Sequence, residues 1–148
     1  MWVKVNKCSG FCVSLEMIIV AVGIIIENSR VLLCQRKKTA RYPLMWEFPG
    51  GKIEAGESPE AGLIRELKEE LFIESTIGSL YFRQSYDYPD SGSFDVLYYS
   101  VSSYTGTMHN MVFESTAWVE WKDLLSYDIL EGNREVVRKL MAEHGPKR

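Results

Sequence analysis

The sequence predicts one layered α/β (α+β) domain, on three observations. Several runs of branched and aromatic residues have strand length, one capped amphipathic helix lies among them, and a second helix follows the last strand. A chain of 148 residues suits a single domain, and 46% hydrophobic with 25% charged content is that of an ordinary globular core and surface.

In chain order, Ile18 to Ile26 is rich in branched residues and reads as a strand buried on both faces. Glu27-Asn28-Ser29 is turn material and Val31 to Cys34 returns as a strand, so the pair predicts a hairpin. Lys37 to Pro43 has the composition of an exposed loop. Trp46 to Glu57 carries Pro49, Gly50, Gly51 and Gly56, which predicts a shaped loop without regular structure. Ser58-Pro59 starts a helix, with Ser at the N-cap and Pro where its missing N–H costs nothing. Ala61, Ile64, Leu67 and Leu71 recur at helical spacing, with Leu63 beside them, as an apolar stripe. Ile77 to Tyr88, Phe94 to Tyr104 and Ser115 to Trp121 read as strands, separated by Pro89-Asp90-Ser91-Gly92 and a turn at Gly106. The last helix is expected from Glu131 to Glu143, with Val136, Val137, Leu140 and Met141 facing inward. This organisation makes 1–16 an N-terminal extension, either an arm or a short extra strand, with Met17 a candidate alternative start. Residues 17–143 form the domain and 144–148 a tail.

The composition also excludes several classes. A net charge of -3 argues against binding a nucleic acid polymer, which calls for a basic surface. The apolar run from Met17 to Ile26 is about half the ~20 residues of a membrane span, and flanking Glu16 and Glu27 argue against a signal peptide. Cys8, Cys12 and Cys34 form no disulfide framework or zinc pattern, so reduced thiols and a cytoplasmic location are expected.

The chemistry is concentrated on the central helix. Glu66, Glu69 and Glu70 stand at i, i+3 and i+4, which projects them from one face roughly 5–6 Å apart at Cβ. Carboxylates so placed repel one another unless a cation intervenes, and Glu57 can reach the same region. Hard cations such as Mg²⁺ take oxygen ligands and keep waters and substrate phosphates in their shell. Arg65 can orient one acid through a bidentate pair. Taken alone, an Arg-Glu-Leu-Lys-Glu-Glu run is more often a solvated helix face.

The full spacing changes that balance. Gly51, five residues, Glu57, seven residues, then Arg65-Glu66-Leu67-x-Glu69-Glu70-x-x-Ile73 resembles the Nudix hydrolase signature at all but one fixed position. The block Trp46-Glu47-Phe48-Pro49-Gly50-Gly51-Lys52-Ile53-Glu54 is similar to the MutT branch, as are Ala21-Val22-Gly23-Ile24-Ile25 and Tyr86-Asp87-Tyr88-Pro89-Asp90. The resemblance implies an α/β/α sandwich with a mixed sheet, whose motif forms a loop–helix–loop. It implies Mg²⁺-dependent hydrolysis (Mn²⁺ as a substitute) of a nucleoside triphosphate to a monophosphate and pyrophosphate. By match to the motif, Glu66, Glu69 and Glu70 are expected metal ligands and catalytic residues. Glu57 and Arg65 assist, and a Gly50 or Gly51 carbonyl completes a shell. Lys52 is the expected phosphate contact, and Arg36, Phe48 and Asn133 the expected contacts to the nucleoside. Asn133 has a second reading as a helix cap, for which Asn is favoured.

Two departures stand out. Phe72 occupies the position of the family's terminal glycine, which predicts a different helix exit. An acid that many relatives carry before the late strand is here Val112, leaving Glu114 as the nearest candidate. Tyr81, Tyr86, Tyr88, Trp118 and Trp121 at strand spacing read first as core. Three activities fit the resemblance: hydrolysis of a purine triphosphate, including 8-oxo-dGTP; hydrolysis of CTP or another pyrimidine nucleotide; and nucleotide sensing without turnover. The last is disfavoured because every acid of the motif is present.

Overall fold

The computed structural model describes residues 17–90 and 92–147. The N-terminal extension with Cys8 and Cys12, together with Ser91 and Arg148, lies outside the described residues. The elements run β1 (Ile18–Ile24), β2 (Ile26–Glu27), β3 (Arg30–Gln35), β4 (Trp46–Glu47), β5 (Gly50–Lys52), α1 (Pro59–Leu71), β6 (Glu74–Tyr88), β7 (Gly92–Thr105), β8 (Ser115–Glu120) and α2 (Arg134–His144). 3₁₀ segments cover Trp121–Ser126, two turns, and Glu131–Asn133, a single turn, so the last helix begins with a tight turn before its α-helical body.

Two four-stranded sheets share the core. The first is mixed, in the order β5-β1-β7-β6, with β1 parallel to β7 and the other pairs antiparallel. In the second, β3 pairs with β8 along its whole length and with β2 and β4 at its two ends, all antiparallel. The hairpin expected between Ile18–Ile26 and Val31–Cys34 turns at Asn28-Ser29 as expected but is short: Ile26–Glu27 pairs back on Arg30–Val31, and the Leu32 N–H donates to the Ile25 carbonyl at 3.0 Å. Before Ile25 the chain pairs instead with β7, Val20 opposite Val96 and Val22 opposite Tyr98. The block from Trp46 to Glu57 is also more regular than expected, since β4 and β5 each find a partner strand distant in sequence.

Alternation across β3 explains the layering. Val31 and Leu33 join one core cluster while Leu32 and Cys34 join the other, and all four are essentially inaccessible to solvent. The first cluster receives Val136, Val137 and Leu140 from α2. The second receives Leu63, Leu67 and Leu71 from α1. A helix thus covers each side, the α/β/α arrangement expected from the sequence. The buried row on α1 is i, i+4, i+8; Ala61, placed in that stripe by its spacing, is exposed, and Ile64 is only half-buried. Burial of each such leucine is worth about 1.5–3 kcal/mol, which fixes the rotation of α1 and hence the direction of its acids. No helix among the described residues is long and apolar enough to cross a membrane.

Both ends of α1 follow local rules. Ser58 accepts from the Ala61 N–H at 3.1 Å, and Pro59 opens the helix. At the other end Phe72 takes the left-handed conformation (φ 59°, ψ 35°), its N–H donating to Lys68 O at 3.0 Å. The altered exit expected from Phe72 is thus not found: the backbone turns left-handed although the residue is not glycine. The ring is 61% exposed and touches His109 edge-on. A left-handed non-glycine residue carries about 1–2 kcal/mol of strain. Phe72→Gly should therefore raise stability, by up to ~1 kcal/mol once the added freedom of the unfolded chain is subtracted. A buried ring would instead lose ~3–5 kcal/mol, so a thermal melt separates the cases by sign.

Candidate functional site

Gly51 places the loop against the acids of α1. A Cβ on Gly51 would lie 2.5 Å from the Glu66 carboxyl carbon, so only a bare backbone allows this approach. Gly62 does the same one turn earlier, where a Cβ would meet Ile53 and Glu57. The loop and helix are then tied by Arg65. Its Nε and Nη2 donate to Glu57 at 3.1 and 2.6 Å, Nη1 donates to Glu66 at 2.9 Å, and Nη2 also reaches the Lys52 carbonyl at 3.2 Å. Glu69, largely exposed, lies 3.5 Å from Nη1. The guanidinium hydrogen bond holds the Glu57 carboxyl below the usual range, and Glu57 in turn accepts from the Glu54 N–H at 2.8 Å.

Glu70 is in the opposite electrostatic situation. Burial, reinforced by the nearby charge of Glu66, pushes its carboxyl up to about 9, against a single stabilising bond from the Gly50 N–H at 3.1 Å. Among the described residues no three Asp, Glu, His or Cys side chains converge as a ready-made cation cage. Arg65 is instead the positive centre of the cluster. The donors are nonetheless all hard oxygens, and a desolvated carboxylate beside a second one is a site that gains from a cation. A hard divalent cation fits this set, since it takes oxygen ligands from carboxylates and carbonyls and keeps waters and phosphates in the rest of its shell.

Glu70, Gly50, Gly51 and Lys52 line a cavity of about 550 Å³. Val20, Val22, Phe94 and Val96 supply an apolar floor, contributed by β1 and β7 in their parallel register. Arg36, Glu47, Phe48 and Asn133 line the same cavity. Arg36 Nη1 bonds both oxygens of Glu47, at 3.2 and 3.1 Å. Burial raises the Glu47 carboxyl, and Arg36 counters part of that rise. Asn133 Oδ1 accepts from the Phe48 N–H at 3.1 Å, and its Nδ2 donates to the Tyr98 hydroxyl at 3.3 Å. Asn133 makes no side-chain cap on α2, so the helix-cap reading is not supported. Its amide instead joins the start of α2 to the loop 85 residues earlier.

Seven residues anticipated from the sequence thus line one cavity: Arg36, Phe48, Gly50, Gly51, Lys52, Glu70 and Asn133. Glu57, Arg65, Glu66 and Glu69 form the adjoining charged cluster behind Gly51. Glu114 joins neither; it is exposed and accepts from the Lys38 N–H at 3.3 Å. Among the aromatics, Tyr88 lines the cavity, whereas Tyr81, Trp118 and Trp121 pack on the core clusters. Glu47, Arg41, Tyr42 and Asp90 are cavity residues that sequence reasoning did not single out. The signal for Glu47 was available, a carboxylate between Trp46 and Phe48 in a half-buried block. Arg41 and Tyr42 sit in a loop whose composition reads only as solvent-exposed.

The chain matches the family model described as NUDIX domain over residues 17–140. It is 32% identical over 129 residues to the CTP pyrophosphohydrolase of Escherichia coli K12, which covers 86% of this chain and 94% of that protein. With the 8-oxo-dGTP diphosphatase of the same organism it shares 34% identity over 122 residues, 82% of this chain and 94% of the relative. A solved MutT structure, from work on the Aliivibrio salmonicida and Vibrio cholerae proteins, superposes with a TM-score of 0.73 at 32% identity, covering 86% and 99% of the two chains.

Proposed function

The chain belongs to the Nudix family of hydrolases, and from that premise we propose that it hydrolyses a nucleoside triphosphate to a monophosphate and pyrophosphate, with a purine as the preferred base. The observation that supports this reading most is the polarity of the cavity. Glu70, the Gly50–Gly51 backbone and Lys52 share its lining with the Asn133 amide and the Arg36–Glu47 pair, over an apolar floor. Its volume lies within the range of about 300–1,000 Å³ usual for small-molecule sites.

Nudix hydrolases work with divalent metal ions, and here Glu66, Glu69 and Glu70 would hold Mg²⁺ or Mn²⁺, with Glu57 and a Gly50 or Gly51 carbonyl assisting. Such an ion, when bound, neutralises phosphate charge and acidifies its water. Arg65 holds Glu57 and Glu66 in place. Lys52, whose Nζ has no ion-pair partner among the described residues, meets a phosphate. Arg36, Phe48 and Asn133 receive the base. Because the Phe48 N–H engages Asn133 Oδ1, the amide keeps one uncommitted N–H for an acceptor on the base edge. The similarity to a CTP pyrophosphohydrolase supports a second reading, in which the base is cytosine.

Pyrophosphate release from guanine, 8-oxoguanine, adenine and cytosine triphosphates, with Mg²⁺ or Mn²⁺, tests the reading directly; no release from any of them overturns it. Asn133→Ala should flatten the ranking by lowering kcat/KM on the preferred nucleotide, because a site built on hydrogen bonds discriminates through them. The same change strands the buried Phe48 N–H and should cost about 1–3 kcal/mol of stability. A preserved ranking would remove Asn133 from base recognition.

A further inference from the structure

The loop between β3 and β4 is closed at its neck and held at its tip by different forces. At the neck, Arg36 N–H donates to Met45 O at 2.9 Å and Leu44 N–H to Arg36 O at 3.2 Å. At the tip, Tyr42 and Leu44 flank Pro43 in left-handed backbone, φ 53° and 61°. Neither is glycine, and a residue before proline is restricted further, so this conformation needs outside support. Support comes from Asp90, at the turn joining β6 to β7. Arg41 Nε donates to Asp90 Oδ2 at 2.8 Å and Nη2 to the Asp90 carbonyl at 2.6 Å, while the Tyr42 hydroxyl donates to Asp90 Oδ1. The Tyr42 ring also packs on Tyr88, with centroids 5.2 Å apart. Arg41, Tyr42, Tyr88 and Asp90 all line the cavity.

The strap is also tied inward. Arg36 Nε donates to the Arg41 carbonyl at 2.7 Å, the guanidinium that also holds Glu47. The loop tip and the guanidinium at the nucleoside end therefore move as one unit. The Arg41–Asp90 pair is about half exposed on both sides, so water competes for it. Strained backbone inside and a solvated ion pair outside leave closure weakly held.

We propose that Arg41, Tyr42 and Asp90 form a latch that closes the nucleoside end of the cavity and sets how firmly Arg36 engages the base. The proposal rests on the nucleotide reading above, and names these three as positioning residues that act through Arg36. Closing the latch lowers KM; the phosphate end, built from α1 and β5, is untouched by it.

Trypsin reports the latch without reference to activity, since Arg36, Lys37, Lys38 and Arg41 are its sites in the loop. In the full-length protein, Asp90→Ala should speed cleavage at these sites at least tenfold while the melting temperature holds, because Asp90 is exposed. With the best nucleoside triphosphate of the panel and Mg²⁺, the variant should raise KM at least tenfold and change kcat less than threefold. Tyr42→Phe, which keeps the ring, should shift both readouts in the same direction by less. Unchanged cleavage overturns the latch, and faster cleavage with unchanged KM overturns its role in recognition. Absence of turnover in the parent protein would count against the nucleotide reading, and cleavage would still decide the latch.

Discussion

Glu70→Gln should lower turnover at least ~10²-fold, the scale expected when a central acid, base or ligand is lost. The amide keeps the size of the carboxyl and can still accept the Gly50 N–H, so the loop stays in place. What disappears is the ability to ionise and hold a cation in the cavity. Stability should move in the other direction. The Glu70 carboxyl is pushed from an ordinary 4.5 up to about 9 in the fold. Without a divalent cation, the parent protein therefore loses stability as pH rises from about 4.5 through about 9, whereas the variant lacks that contribution. Metal-free melts at about pH 5 and about pH 8 should show the variant gaining on the parent at the higher pH. Near-normal turnover in a folded Glu70→Gln protein would end the case for a metal platform on α1.

Gly51→Ala should cost about 10²-fold in turnover with little change in melting temperature. The new Cβ would occupy space 2.5 Å from the Glu66 carboxyl carbon and 2.6 and 2.7 Å from its oxygens. A glutamate tip can swing away, so the fold survives. The displaced carboxylate then loses its bond from Arg65, now 2.9 Å, and its alignment with Glu70. Misplacement of a reacting constellation by about 1 Å costs on the order of 10²-fold. A large fall in melting temperature would mean that the loop, rather than Glu66, gave way. Unaltered kinetics would show that the position of Glu66 is immaterial.

The two substitutions bear on different kinds of legibility. Glu70 was readable because α1 obeys local rules: Ser58 caps it, Pro59 opens it, and buried leucines set which face its acids occupy. The contact that makes Gly51 necessary was visible only as a spacing shared with the family, since nothing near Gly51 in the chain predicts a carboxylate against it. Asn133 shows the same divide. Its place at the start of the last helix was evident, yet a cap was as good a reading as a ligand until the Phe48 N–H was seen to take its oxygen. Phe72 shows the converse error, an unfavourable residue held in the left-handed exit because the helix must end there for β6 to join the sheet.

The layered class, both helices, the capped start of α1 and the family of its acids could all be read along the chain. These depend on capping, periodicity and fixed spacing, all of which act within a few turns of chain. Packing of the whole chain was needed for β1 to leave its neighbour β3 and run parallel to β7. It also decided that Glu47 pairs with Arg36, and that Asp90 holds Arg41 from 49 residues away. Those pairings arise because each strand buries whichever faces the whole chain leaves available. Local composition at Ile18–Ile26 or at Lys37–Pro43 carries no record of the partner that burial selects.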